Sequence, residues 1–217
     1  IPLISATGST AMGRIVGQNV AKRFGKTILE LGGNNALIIT PNANLDLAIP
    51  AVVFGAVGTC GQRCTTTRRL IVHKDIINQV KNRVKEAYQN LPIGDPLDTK
   101  TLVGPLIDQQ AVLQFQNTLQ EVKEQGGKII CGGDTIDGNF VQPTMVEAYN
   151  DYKSVQKETF APILYLIEYS GNVSEAIKIQ NDVQQGLSSA IFSENIQETE
   201  QFLSAWGSDC GIANVNI

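Results

Sequence analysis

The sequence is short of the residues that several kinds of site require. It has one histidine, His73, and four cysteines, and no two of the cysteines are spaced as Cys-x-x-Cys. Zinc sites combine several cysteine and histidine ligands, so we expect no metal. The histidine lies in the strand-like run "RRLIVH". A thiol nucleophile that needs a neighbouring histidine base therefore has little support.

Excess positive charge and long apolar runs are also missing. The net charge of -4 at pH 7 argues against a non-specific nucleic-acid binder. No apolar run reaches the roughly 18 residues of a membrane span, and no signal peptide is visible. We expect no nucleic-acid or membrane partner, and a cytoplasmic chain with reduced thiols. A mitochondrial location of a longer parent is the alternative. The chain begins with Ile1 and stops in a strand-like run, so we expect a segment of a longer protein.

What is present is an alternation of strand-like and helix-like segments. Apolar runs such as "NALIIT" and "PILYLIEY" predict strands. Helical spacing predicts a first helix whose apolar side includes Met12 and Phe24. A buried helix is predicted at "LDLAIPAVVFGAVG", with Pro50 near its first turn. The alternation predicts an α/β fold with a mainly parallel, twisted sheet flanked by helices.

The first of four motifs that could carry chemistry is "SATGSTAMGRIVG". A strand ends, a small-residue turn follows and a helix begins. Backbone N–H groups at such a helix start, with the Ser9 or Thr10 hydroxyl, suit a phosphate. The glycines do not form G-x-G-x-x-G, and a Ser/Thr N-cap on an ordinary helix explains the same residues. Taken alone, the motif favours the N-cap.

Two carboxylates stand out in the second and fourth motifs. Glu30 in "LELGGNN" ends an apolar run, where partial desolvation would raise its pKa toward the range of a general base. The alternative is a solvent-facing strand-edge glutamate. The two following glycines let the backbone approach a ligand closely. Glu158 in "KETFAPILYL" stands at the entry to a strand, and a surface turn is its simplest interpretation.

The third motif is "GTCGQRCTTTRR", residues 58–69. Cys64 is flanked by Arg63 and three threonines, a polar, electropositive setting that favours the reactive thiolate. Cys60, at the end of the apolar helix, fits a buried structural cysteine. Arg68 and Arg69 lead into the next strand and are expected to be solvated. Cys131 and Cys210, at strand-like positions, fit the structural interpretation too.

The four motifs occur together in one order, with Cys64 following Glu30 by 34 residues. In this the chain resembles the aldehyde dehydrogenases. "QGLSSAIF" and "GSDCGIANVNI" are most similar to the antiquitin branch, which acts on α-aminoadipic semialdehyde. The resemblance implies the last strand-helix-strand piece of a Rossmann-like NAD-binding domain at residues 1–32. It implies a catalytic domain, truncated at its C-terminus, at residues 33–217.

The resemblance also implies roles for individual residues. Cys64 would be the nucleophile and Glu30 the base that activates water. Arg63 would hold the amino-acid end of the substrate, and Thr65 would line the acyl pocket. The cofactor would be NAD, with NADP open, and the full-length protein a homotetramer acting on a small aldehyde. The implied cofactor-binding residues are Gly8, Ser9 and Thr10 at the pyrophosphate, Leu31 at the nicotinamide amide, Glu158 at the ribose and Phe160 near the ring.

Other interpretations stay open at this point. Related enzymes pass the acyl group to coenzyme A or reduce an acyl phosphate, but they tend to lack the base at the position of Glu30. A cysteine hydrolase would have to use His73. A truncated chain could also serve as a non-enzymatic module. We expect the 217-residue chain alone to be inactive, because most of the cofactor domain is absent from it.

Overall fold

The computed structural model describes residues 1–217 and contains nine strands and seven α-helices. The strands are β1 (Leu3–Thr7), β2 (Lys26–Glu30), β3 (Ala36–Ile39), β4 (Arg69–His73), β5 (Lys128–Cys131), β6 (Thr144–Glu147), β7 (Ile163–Tyr169), β8 (Ser188–Phe192) and β9 (Ile212–Val215). The helices are α1 (Thr10–Ala21), α2 (Leu45–Val57), α3 (Ile77–Gln89), α4 (Gln109–Glu124), α5 (Lys153–Gln156), α6 (Val173–Asn181) and α7 (Ile196–Leu203).

Seven of the strands form one sheet in the order β5-β6-β7-β4-β3-β8-β9. All neighbours are parallel except β5, which runs antiparallel to β6 at one edge. The central strands β3 and β4 are buried along their whole length, as expected of parallel strands covered on both faces. The prediction of an α/β fold with a mainly parallel sheet is confirmed.

The seven-stranded sheet and its helices share one hydrophobic core. A single cluster of 41 buried residues joins the sheet to helices such as α2, α3 and α4. Helices α2, α4, α6 and α7 each begin at an Asn or Asp whose side chain accepts a backbone N–H of the first turn. Such caps satisfy N–H groups that have no partner inside the helix. No helix here combines the length and the apolar character that a bilayer crossing requires.

The remaining two strands form a separate unit, β1–α1–β2. The two strands are parallel, with Leu3 opposite Lys26 and Thr7 opposite Glu30. Most of its apolar side chains are exposed, including Leu3, Ile15 and Ile28. This is the strand-helix-strand arrangement expected for residues 1–32. Its assignment to a cofactor domain stays a prediction.

Two local predictions are wrong. Phe24 lies beyond α1, is 98% exposed and has a φ of +57°, because the chain reverses there to enter β2. Cys210 lies in the turn that precedes β9 and not in a strand.

Candidate active site

The segment from Glu30 to Asn35 joins the two sheets and touches every predicted motif. The Gly8 N–H donates to the Glu30 carbonyl at 3.0 Å. The Gly33 N–H donates to Glu158 Oε1 at 3.3 Å, and Asn35 Nδ2 donates to the Cys64 carbonyl at 2.7 Å. The other three motifs therefore meet around these six residues of the second motif.

Cys64 lies on an exposed loop that follows a strained turn. Thr59, Cys60 and Gly61 have φ values of +55°, +53° and +69°, a left-handed conformation that costs energy for residues other than glycine. Strain of this kind concentrates at functional sites. Cys64 is exposed and Cys60 buried, and burial raises the pKa of the Cys60 thiol to about 12. The structure thus separates an accessible thiol from an inert one, as the sequence predicted.

Gly61 allows the cysteine loop to pack against the "FAP" segment. A Cβ at this position would collide with the Ala161 carbonyl and lie 2.6 Å from the Pro162 nitrogen. Any side chain would therefore separate the two segments. Gly61 of "GQRC" and Ala161 of "FAP" therefore contact each other directly.

Asn35 holds the cysteine loop to the sheet. Its buried amide donates to the carbonyls of Cys64 at 2.7 Å and Thr66 at 3.0 Å. Its Oδ1 accepts the N–H groups of Leu187 at 3.0 Å and Ser188 at 2.9 Å. All four hydrogen bonds are to backbone groups. Through Asn35, the main chain at Cys64 is therefore linked to the start of β8. Sequence reasoning gave Asn35 no role; the available signal was a polar side chain directly before the apolar run "ALII", because a polar group that becomes buried is hydrogen-bonded.

Glu158 lies beside the glycine pair of "ELGG". A Cβ at Gly32 would lie 2.5 Å from the Glu158 carboxyl carbon, so glycine is needed for the approach. The Glu158 side chain is 16% exposed and pairs with Arg68 at 3.2 Å. The prediction of a simple surface turn is therefore wrong, because the carboxylate is held inside the site.

The start of α1 and Glu158 line the same cleft, which has a volume of about 550 Å³. Ser9 caps α1 by accepting the Met12 N–H at 3.1 Å, which confirms the N-cap. Thr10 Oγ1 accepts from Gln185 Nε2 at 3.4 Å. The lining residues include Ser9, Thr10, Lys153, Lys157, Glu158 and Gln185. Cations and a helix N-terminus suit phosphates, and a carboxylate accepts from hydroxyls. These residues therefore fit a dinucleotide.

The other predicted binding residues lie around the cysteine loop and the cleft. Arg63 Nε donates to Thr59 Oγ1 at 2.8 Å, and its guanidinium lies 4.9 Å from the centre of the Phe54 ring. Thr65 is exposed, and its carbonyl accepts from Ser188 Oγ at 3.4 Å. Leu31 is half-buried and Phe160 is 41% exposed. The roles that the resemblance implies for these residues stay predictions.

Glu30 does not have the environment that was expected. Its side chain is exposed at the end of β2, because β2 is paired only with β1. The prediction that its carboxylate is partly desolvated is therefore wrong for these 217 residues. Its backbone carbonyl accepts the Gly8 N–H, and Gly33 and Asn35 further along the same segment bond the Glu158 carboxylate and the Cys64 carbonyl.

Arg68 and Arg69 are buried, so the prediction that they are solvated is wrong. They are 2% and 1% exposed, although charged residues are rarely buried without partners. The five N–H donors of Arg69 are all used, on Asn34, Asn150 and the backbone of Ile179 and Gln180. Burial lowers the pKa of Arg69 to about 10. The sequence signal for the burial of these two arginines was their position at the start of a strand that is buried on both faces.

His73 lies at the opposite end of β4 from Arg69. Its Nδ1 is 3.4 Å from Asp75 Oδ2, and its ring packs edge-on against Tyr169. Parallel strands rise by about 3.3 Å per residue, so the length of β4 separates His73 from the cysteine loop. The geometry gives no support to a hydrolase that pairs Cys64 with His73.

The profile described as "Aldehyde dehydrogenase family" matches residues 1–217. The chain belongs to the aldehyde dehydrogenase family. It is 53% identical over 222 residues to a putative aldehyde dehydrogenase family 7 member A1 homolog of Caenorhabditis elegans, covering 100% of this chain and 42% of that protein. It is 47% identical over 220 residues to the α-aminoadipic semialdehyde dehydrogenase of Mus musculus, covering 100% of this chain and 41% of that protein. The chain thus spans about two fifths of the length of these relatives.

Solved structures agree with the family. A betaine aldehyde dehydrogenase from Staphylococcus aureus, in complex with NAD+, superposes with a TM-score of 0.95 at 27% identity. The superposition covers 100% of this chain and 44% of that one. HpcC from Thermus thermophilus superposes with a TM-score of 0.95 at 30% identity, and the superposition covers 100% of this chain and 43% of that one. The resemblance to aldehyde dehydrogenases stated from the motifs is confirmed.

Proposed function

We propose that the chain is the thiol-bearing segment of an NAD-dependent dehydrogenase that oxidises an amino-acid semialdehyde, α-aminoadipic semialdehyde first, to the carboxylate. The observation that carries the proposal is the meeting of the four motifs around Glu30–Asn35 beside an exposed Cys64. The substrate follows from the 47% identity with the mouse enzyme of that name.

Cys64 supplies the nucleophile in this proposal. An aldehyde gives up hydride poorly while it is neutral. Attack by the thiolate forms a carbon–sulfur bond and an alkoxide, whose collapse to a thioester expels hydride. The backbone N–H of Cys64 takes part in none of the backbone–backbone hydrogen bonds and can donate to the alkoxide.

Glu30 completes the reaction as a general base. Water attacks the thioester carbon, Glu30 accepts one water proton, and the carbon–sulfur bond breaks to release the Cys64 thiolate and the carboxylic acid, which loses its own proton to solvent. An exposed carboxylate is suited to receive a proton and return it to solvent. Enzymes that transfer the acyl group to coenzyme A have no need of this step.

The cleft between α1 and Glu158 holds the cofactor in this proposal. The N–H groups at Ser9 and Thr10 bind the phosphates, and Lys153 and Lys157, which line the same cleft, add positive charge. Glu158 accepts from the ribose hydroxyls. When bound, NAD accepts the hydride. NAD is preferred to NADP because the similar S. aureus enzyme is in complex with NAD+.

The decisive experiment compares two cysteine variants of the full-length protein. Cys64→Ala should lower the rate of NADH formation from α-aminoadipic semialdehyde by at least about 10³-fold, because the covalent step is lost. Cys131→Ala is the matched control, since Cys131 lies on the edge strand β5, and it should keep the wild-type rate. Betaine aldehyde and hexanal serve as competing substrates. Unchanged turnover by Cys64→Ala would refute the proposal.

A second variant separates hydrolysis from acyl transfer. Glu30→Gln should trap the thioester, visible as a mass increase of the intact protein when aldehyde and NAD are added. Wild-type turnover by Glu30→Gln, or a rate that depends on coenzyme A, would favour the acyl-transfer alternative. The 217-residue chain alone should bind NAD poorly in calorimetry, because it spans only about two fifths of the length of its relatives.

A further inference from the structure

Arg68 lies between the cysteine loop and the segment that carries Glu158. Its Nη2 donates to the Arg63 carbonyl and to Glu158 Oε1, both at 3.2 Å. Its Nη1 donates to the Thr159 carbonyl at 2.5 Å and to the Gly61 carbonyl at 3.4 Å. One buried guanidinium therefore bonds backbone on both sides of the site and one carboxylate in it.

Further contacts hold the side chain and the backbone of Arg68 in place. Its central carbon lies 5.3 Å from the centre of the Phe160 ring, a distance at which the cation is attracted to the ring. The Arg68 N–H donates to the Asn35 carbonyl at 3.1 Å. Burial lowers the pKa of Arg68 and the charge of Glu158 opposes that shift, so the carboxylate stabilises the charged guanidinium.

Arg69 shows that this pattern is particular to Arg68. The two residues are equally buried, and adjacent residues at a strand start point to opposite sides. Arg69 uses its donors on Asn34, Asn150 and the end of α6, and none of these is a predicted catalytic, cofactor or substrate residue. Arg68 uses its donors on the loop before Cys64 and on the Glu158 segment. Stability alone would not require that choice of partners.

We propose that Arg68 is a positioning residue of the active site, which holds the Glu158 carboxylate at the cleft and fixes the loop that ends at Cys64. The inference rests on the proposed function, in which Glu158 binds the cofactor ribose. With Oε1 held by Arg68 and Gly33, Oε2 is the oxygen left to accept from the ribose. Lysine has no planar fork and cannot reproduce these simultaneous bonds.

The test uses the full-length protein with Arg68→Lys and its matched control Arg69→Lys. Arg68→Lys should raise the Kd for NAD, measured by calorimetry, about tenfold, because a charged hydrogen bond that orients the carboxylate is lost. Arg69→Lys should lower the melting temperature but keep the Kd for NAD within about twofold of wild type. In a Glu158→Gln background, Arg68→Lys should add less than about twofold to the Kd.

Equal Kd values for Arg68→Lys and wild type, with a melting temperature lowered as in Arg69→Lys, would overturn the inference and leave only a structural role. An additive effect in the Glu158→Gln background would also overturn it. The proposed function fails separately, through a fully active Cys64→Ala. An inactive Cys64→Ala together with a normal Arg68→Lys would remove only the positioning role.

A second variant keeps the inference testable if Arg68→Lys does not fold. The double variant Arg68→Met/Glu158→Gln leaves no unpaired charge in the interior and is compared with Glu158→Gln alone. Hydrogen exchange at residues 61–66 should be at least about tenfold faster in the double variant, because the loop loses its bonds to the guanidinium. Equal exchange in the two proteins would contradict the positioning of the loop.

Discussion

The seven-stranded sheet and the β1–α1–β2 unit differ in how they bury apolar surface. Every member of the 41-residue core cluster comes from residues 36–202, whereas Val20 is the one buried hydrophobic side chain of residues 1–30. Strand β2 shows no fully buried position. The region that contains the seven-stranded sheet and the Cys64 loop therefore has a core of its own, while the unit that contains Ser9, Thr10 and Glu30 has almost none.

This difference means that the two halves of the candidate site are held in place to different degrees. Cys64, Glu158 and Asn35 are positioned by a stable scaffold. Glu30 and the start of α1 are tied to it by few hydrogen bonds, among them Gln185 Nε2 to Thr10 Oγ1 at 3.4 Å. Local stability follows buried contacts, so the two halves of the site should differ in stability.

The largest expected effect tests this difference by making the same substitution in each region. Ile71 in β4 is fully buried, and Ile28 in β2 is 52% exposed. Ile71→Ala should lower the free energy of unfolding by about 4 kcal/mol, through lost burial and a cavity. Ile28→Ala should change it by less than about 0.5 kcal/mol. Urea unfolding followed by circular dichroism measures both, and similar losses would contradict the comparison.

The sequence predicted the large sheet better than the site, for a physical reason. The apolar runs of β3, β4 and β7 specify buried strands wherever their partners lie. The partners of Arg68 and Glu158 depend on contacts 90 residues apart, and no local pattern specifies such a pairing. The prediction that the Glu30 carboxylate is desolvated was wrong for the opposite reason. Glu30 ends an apolar run, but β2 pairs only with β1, and its side chain stays exposed.

An effect of intermediate size is the pH dependence of stability, which we expect only for the region of the seven-stranded sheet. Burial raises the pKa of Cys60 from its ordinary value of 9.0 to about 12. Below pH 9 the thiol is protonated in both states, so its contribution to stability is fully present. Above pH 9 the unfolded chain loses the proton while the folded chain keeps it, and stability falls until about pH 12.

The loss should be about 1 kcal/mol in the free energy of unfolding between pH 9 and pH 10. Urea unfolding at the two pH values measures it. Cys60→Ala should remove that part of the loss, and parallel pH curves for the two proteins would show that Cys60 is not its source. The opening of α1, followed by hydrogen exchange and corrected for the intrinsic rate, should not respond, because Cys60 lies in the core of the other region.

The smallest effect concerns the turn between α1 and β2. Phe24 has a left-handed backbone and a side chain in solvent, so its strain is not offset by packing in this chain. Asparagine tolerates this conformation better than other residues with a Cβ. Phe24→Asn should therefore stabilise the β1–α1–β2 unit by about 0.5 kcal/mol, measured as slower hydrogen exchange in α1. Phe24→Ala removes the same ring but keeps the strain and should give no gain. If both variants slow the exchange equally, the exposed ring and not the backbone is what weakens the unit.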